Sequence, residues 1–128
     1  MKTTHIFAAA LLILGMGAAH AQDGIGRTEA QRHDLPAAGQ QAIQVRVDFA
    51  PGAAFPSHVH PGVEIAYVLE GTVEYQFAGQ DPITLHKGDS LYIPEGTAHS
   101  ARNAGDLPAA ELATYLVDKS RPLVVIKE

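Results

Sequence analysis

From position 41 onward the chain falls into short runs in which apolar and polar residues alternate. Ile43, Val45, Val47 and Phe49 share one parity, and Gln44, Arg46 and Asp48 share the other. Side chains on a strand point alternately to its two faces, so this run predicts a half-buried strand. Pro51-Gly52 ends it. Residues 64–69 predict the next strand, and Glu70-Gly71 turns the chain. Val73, Tyr75 and Phe77 then alternate with Thr72, Glu74 and Gln76. Further strands are expected over residues 83–86, 90–93, 99–102, 109–117 and 123–126. Gly-, Pro- and Asp-rich stretches separate them, including Lys87-Gly88-Asp89 and Pro94-Glu95-Gly96. Residues 109–117 have some helix propensity, but Thr114-Tyr115-Leu116-Val117 and the setting favour strand. Strands recurring about every 8–12 residues predict an all-β sandwich or barrel.

The two ends read differently. Lys2 is followed by an apolar run from Ile6 to Ala19, and Ala19-His20-Ala21 places small residues at both cleavage-determining positions. This is the pattern of a secretory signal peptide over residues 1–21, cut after Ala21. The apolar run is too short for a membrane anchor, which needs about 20 residues. Residues 22–40 are polar, with Gly24, Gly26, Pro36 and Gly39, and read as a leader with an edge strand over residues 27–33. Residues 41–117 form the expected barrel and residues 118–128 a tail that carries the last strand. A periplasmic or secreted protein follows, with no membrane contact after cleavage.

Charge and composition narrow the function classes. The chain has 9 Lys+Arg against 14 Asp+Glu. Losing Lys2, the one charged residue before position 22, leaves 8 against 14, a net of −6. No basic patch exists for nucleic acid. The absence of cysteine removes a disulfide scaffold, thiolate ligands and a cysteine nucleophile.

Two stretches carry the candidate chemistry. One runs Gly52, five residues, His58-Val59-His60, three residues, Glu64, six residues, Gly71. The other runs Gly88, five residues, Pro94-Glu95-Gly96, two residues, His99, three residues, Asn103. Imidazole and carboxylate are ligands that borderline and hard divalent metals accept. His58 and His60, two apart, face the same side of a strand. Pro61-Gly62 bends the chain so that Glu64 returns toward the same point. His99, on a separate strand, is expected to cross the barrel to join them.

Both stretches, in this order and with these glycines, Pro94 and Asn103, resemble the two motifs of the cupin superfamily. The resemblance covers residues 41–117. It implies a double-stranded β-helix, a jelly-roll barrel of two sheets, with His58, His60, Glu64 and His99 as ligands of one divalent transition metal. Three neutral imidazoles and one carboxylate leave a net +1 on a divalent ion, and an octahedral shell keeps two positions open. Cu, Zn or Ni is expected over Fe or Mn for a site filled outside the cytoplasm, unless local supply favours the latter. Related proteins include dioxygenases, decarboxylases, isomerases and lyases. A metalloenzyme acting on a small oxygenated or acidic molecule is therefore expected, with a non-catalytic ligand-binding or sensing module as the alternative.

The remaining residues carry weaker signals. Glu64 has a second reading as a catalytic base that leaves the metal. No other acid or base stands out, so the chemistry would rest on the metal. Ala66 and Val68 share the side of Glu64 and would leave room beside the ion, and Phe55 is placed at the pocket mouth. Asn103 is expected to bond turn groups, His33 and His86 to face solvent, and Tyr67, Tyr75, Phe77 and Tyr92 to serve core or interface. A homodimer is expected because the apolar strands, including residues 123–126, exceed what one small barrel buries. The strand over residues 27–33 would then add to the partner's sheet.

Overall fold

The computed structural model describes residues 23–128; the expected signal peptide lies outside them. Ten strands follow one another: β1 (Ile25–Asp34), β2 (Gln40–Phe49), β3 (Ala54–Val59), β4 (Gly62–Glu70), β5 (Thr72–Phe77), β6 (Ile83–His86), β7 (Ser90–Ile93), β8 (His99–Arg102), β9 (Ala109–Asp118) and β10 (Val125–Ile126). They form two five-stranded sheets, ordered β1-β2-β9-β4-β7 and β10-β3-β8-β5-β6. Every pairing is antiparallel.

The alternation seen in the sequence is what closes the two sheets on each other. Ile43, Val45, Val47 and Phe49 of β2 are buried, as are Val73, Tyr75 and Phe77 of β5. Their polar neighbours face outward, since a strand can bury one parity only. In β9 the buried parity is Ala109, Glu111, Ala113, Tyr115 and Val117, so strand wins over helix there. Small residues line the centre: Ala66 and Ala113, cross-strand partners on β4 and β9, are fully buried with Val68.

Two junctions need glycine for steric reasons. At Gly62, where β4 begins against β9, an added Cβ would lie 2.0 Å from the Leu116 carbonyl oxygen. That is backbone, which cannot swing aside. Gly71, between β4 and β5, combines a φ of 68° with a Cβ position 2.5 Å from the Pro108 carbonyl oxygen.

Some expectations shift. The leader strand is longer than residues 27–33 and pairs along β2 of its own chain, Ile25 opposite Phe49 through Asp34 opposite Gln41. The last strand shortens to β10, which pairs with β3. His60 falls one residue beyond β3, at the bend into β4. His99 does not cross the barrel: β8 lies beside β3, with His58 and His99 as direct partners. Glu64, on β4, reaches across from the opposite sheet.

Candidate metal centre

The three histidines reach one point by local means. His58 leads, and an irregularity in β3 helps it. Phe55 pairs with Ala101 and His58 with His99, so three steps on β3 match two on β8. The extra residue is a bulge, which lets Phe55 and His58 both face inward despite their opposite parity. His60 follows two residues on, and Pro61-Gly62 turns the chain into β4. His99 opens β8 after the Pro94-Glu95-Gly96-Thr97 turn.

All four candidate ligands are buried, with 2–5% of each residue exposed. One ligand atom from each lies within 4.8 Å of all the others. The ring orientations are held from behind. Nδ1 of His58 donates to the Pro56 carbonyl at 2.8 Å, Nδ1 of His60 to the Leu123 carbonyl at 2.6 Å, and Nδ1 of His99 to the Thr97 carbonyl at 2.8 Å. A carbonyl can only accept, so the proton of each neutral ring sits on Nδ1 and the Nε2 lone pair points into the cluster. This is the outer-shell arrangement that metal-binding histidines use.

The inner contacts then require a cation. Nε2 of His60 lies 2.9 Å and Nε2 of His99 3.2 Å from Oε2 of Glu64. A lone pair facing a carboxylate at that range is repulsive unless a proton or a metal stands between. Ligand atoms bonded at about 2.1 Å and at right angles to one another sit about 3 Å apart, so these spacings fit one ion. Despite its distance, the His60–Glu64 contact is not aligned as a hydrogen bond. Among the described residues, His60 Nε2 is the one buried side-chain polar atom with no partner. The donor set therefore fits a divalent transition metal.

The protonation states agree. Burial, with the neighbouring imidazoles, pulls His58 down to about 4, so it is neutral near pH 7. Burial alone would raise Glu64, but where the His60 and His99 rings carry positive charge in place of a metal they outweigh it and hold the carboxyl at about 2. Burial lowers His99, yet the Glu64 bond and the Thr97 carbonyl raise it net. A proton on its Nε2 and a metal ion compete for the same lone pair.

Beyond the ligands the barrel interior holds a small cavity of about 10 Å³, room for roughly one water. Its walls include Phe55 at the mouth and, deeper, a second acid. Glu111 on β9 is buried and accepts a hydrogen bond from the Tyr75 hydroxyl. Burial and the nearby Glu64 charge push its carboxyl up to about 8. Burial also raises Tyr75 and Tyr115 above the usual phenol range. Arg27 of β1 reaches the Tyr115 hydroxyl at 3.4 Å and lies 5.7 Å over the Phe55 ring. A larger depression of about 520 Å³, beside Gly39, Pro61 and Glu95, lies on the outer surface away from the ligands.

Sequence reasoning placed the four ligands together but missed Glu111, and with it the cavity role of Tyr75. The signal was available. Glu111 shares parity with Ala109, Ala113, Tyr115 and Val117, and a lone acid in an apolar stripe is a candidate for a buried functional group. Asn103 does bond turn groups, its side chain donating to the Phe49 and Leu107 carbonyls and accepting from Gly105 N–H. His33 and His86 are exposed.

Comparison with known proteins gives a consistent picture. Residues 45–115 match the family described as Cupin domain. Germin-like protein 5-1 from Oryza sativa subsp. japonica is 34% identical over 129 residues, covering 89% of this chain and 56% of that protein. A DMSP lyase from Ruegeria pomeroyi DSS-3 superposes with a TM-score of 0.61 at 29% identity, over 67% of this chain and 43% of its own. A recombinant oxalate oxidase in complex with glycolate gives a TM-score of 0.65 at 26% identity, over 84% and 57%. The chain spans about half the length, or less, of the curated relatives it matches.

Proposed function

The chain belongs to the cupin family, and from that premise we propose an exported metalloenzyme that acts on a small oxygenated or acidic molecule. His58, His60, Glu64 and His99 hold one divalent transition metal. The observation that carries this reading is the unpartnered Nε2 of His60, facing Glu64 while its Nδ1 is tied to Leu123. When bound, the ion supplies Lewis acidity and open coordination positions.

The chain's own residues divide the remaining work. The three backbone-anchored rings fix the ligand geometry. Glu64 suits a ligand better than a base, because a carboxyl held at about 2 is a poor proton acceptor at neutral pH. Proton handling falls instead to Glu111, whose carboxyl at about 8 can exchange a proton near neutrality, with Tyr75 orienting it. Proton transfer beside a Lewis acid favours lyase or isomerase chemistry on a small acid. The similarity to an oxalate oxidase supports oxidative chemistry as the second reading.

Cu, Zn or Ni is the proposed native metal on affinity grounds. A homodimer is proposed through the outer face of the β9–β4–β7 region, where Ile65, Tyr67, Tyr92 and Leu116 are exposed; light scattering tests it. Elemental analysis of the protein isolated from the periplasm, beside His60→Ala, tests the centre itself. One equivalent of metal, lost in the variant, is the expected result. Fe or Mn at one equivalent without Cu or Zn would reverse the metal assignment. The loaded protein is then screened against small hydroxy and carboxylic acids, with product analysis and oxygen uptake. Saturable binding with no turnover across the panel would convert the reading to a ligand-binding module.

A further inference from the structure

Arg27 is the one arginine or lysine that lines the interior cavity. It comes from the edge strand β1, where it shares the parity of Ile25, the one buried residue of that strand, so its side chain starts from the face turned toward the cavity. Among the described residues Arg27 belongs to none of the ion pairs. Its guanidinium instead lies over Phe55 and against the Tyr115 hydroxyl, both cavity walls. The other strand-borne arginines are spent differently: Arg32 pairs with Glu29, Arg46 with Asp48 and Arg102 with Glu74.

We propose that Arg27 is the specificity determinant of the site: it clamps the carboxylate of a small anionic substrate at the cavity mouth, while the substrate's other oxygen meets the metal centre. This rests on the metal reading above. A planar guanidinium matches a carboxylate with two parallel hydrogen bonds, which an ammonium does not. The local charge favours an anion in either protonation state of Glu111, because a divalent ion and Arg27 together outweigh Glu64 and Glu111 even when both carboxyls are ionised. The enclosed space, about 10 Å³, holds roughly one water, so a ligand of a few heavy atoms fits only when the Arg27 side chain has swung away from the mouth. Entry needs the Arg27 side chain to leave Phe55. An exposed side chain on an edge strand moves without disturbing the core, and moving it frees the guanidinium to pair. Glu111 and Tyr75 form the inner end of the same cavity, where a substrate hydroxyl finds hydrogen-bond partners.

The test uses the full protein loaded with one equivalent of Zn²⁺, with sodium glycolate as probe and ethylene glycol as its uncharged counterpart. Isothermal calorimetry is run on wild type, Arg27→Gln and Arg27→Lys, with Zn²⁺ content and unfolding temperature measured for each. The expected result is glycolate binding in wild type and about tenfold or greater weakening in Arg27→Gln. Partial recovery is expected in Arg27→Lys, with unchanged Zn²⁺ content throughout. Ethylene glycol is expected to bind far more weakly than glycolate, and glycolate binding to fall more steeply with added salt in wild type and Arg27→Lys than in Arg27→Gln. Equal glycolate affinity in wild type and Arg27→Gln would overturn the inference while leaving the metal reading intact, as would equal binding of the two probes. Wild-type protein that takes up no Zn²⁺ would defeat the metal reading, and the inference would fall with it.

Discussion

The barrel interior has two polar walls, and they are held in opposite ways. On one wall His58, His60 and His99 each hang from a backbone carbonyl through Nδ1. On the other, Glu111 is held by the Tyr75 phenol and Tyr115 by the Arg27 guanidinium, side chain to side chain. A backbone carbonyl has no side-chain torsions of its own, so it fixes a ring more closely than a side-chain partner does, which suits atoms that must converge within a few ångströms. Side-chain anchors can re-form around a visitor. One wall could hold an ion, and the other has the looser attachment.

The largest effect expected from breaking this contrast is at the ligands. His99→Ala should weaken metal binding by more than the roughly 10–100-fold that outer-shell losses cost, read by competition with a chromophoric chelator. Undiminished affinity would remove His99 from the centre. Next comes the anchor of His60. Deleting residues 121–128 removes the Leu123 carbonyl and β10, while His58 and His99 keep their own anchors. Metal affinity should fall about 10–100-fold in a chain that still shows strand circular dichroism. A truncated chain with native affinity would mean that Leu123 does not orient the ring.

The more loosely attached wall should show itself through pH. The Glu111 carboxyl titrates at about 8 in the folded protein, against 4.5 ordinarily. Between those values the native state keeps a proton that the unfolded state has lost. Stability therefore falls as pH rises from about 4.5 and levels off above about 8. Glu111→Gln removes that loss, so in chelated protein the variant's melting temperature should gain on wild type from pH 5 to pH 9. Parallel curves would place Glu111 outside the low-dielectric interior. The smallest effect is expected from Tyr75→Phe, which takes the hydroxyl from Glu111 and should cost about 1–2 kcal/mol in denaturant unfolding, with metal content retained.

How far each wall could be read in advance follows from the same difference. The spacing around His58, His60, Glu64 and His99 is local, and two of the anchors are as well, Pro56 to His58 and Thr97 to His99. Motif and strand parity were enough to bring these residues forward. Glu111 was legible by parity but carries no motif, and Tyr75 gave no sign of being its partner. Phe55 has the wrong parity to share a face with His58. Only the bulge opposite Ala101 and His99 turns it inward, and a bulge depends on the register of the neighbouring strand.

By itself the amino-acid sequence determined which segments are strands, which face of each is apolar, and which four side chains have metal-ligand chemistry at repeating offsets. These are short-range properties, set by the two-residue period of the strand and by turn residues. Tertiary structure alone decided that β8 lies beside β3, so that Glu64 rather than His99 spans the two sheets. It also decided that the tail returns to hold His60 from 63 residues away. Arg27 likewise meets Tyr115 from 88 residues away. Contacts at such separations follow from which strands pair across the closed barrel, and no local pattern of residues specifies that pairing.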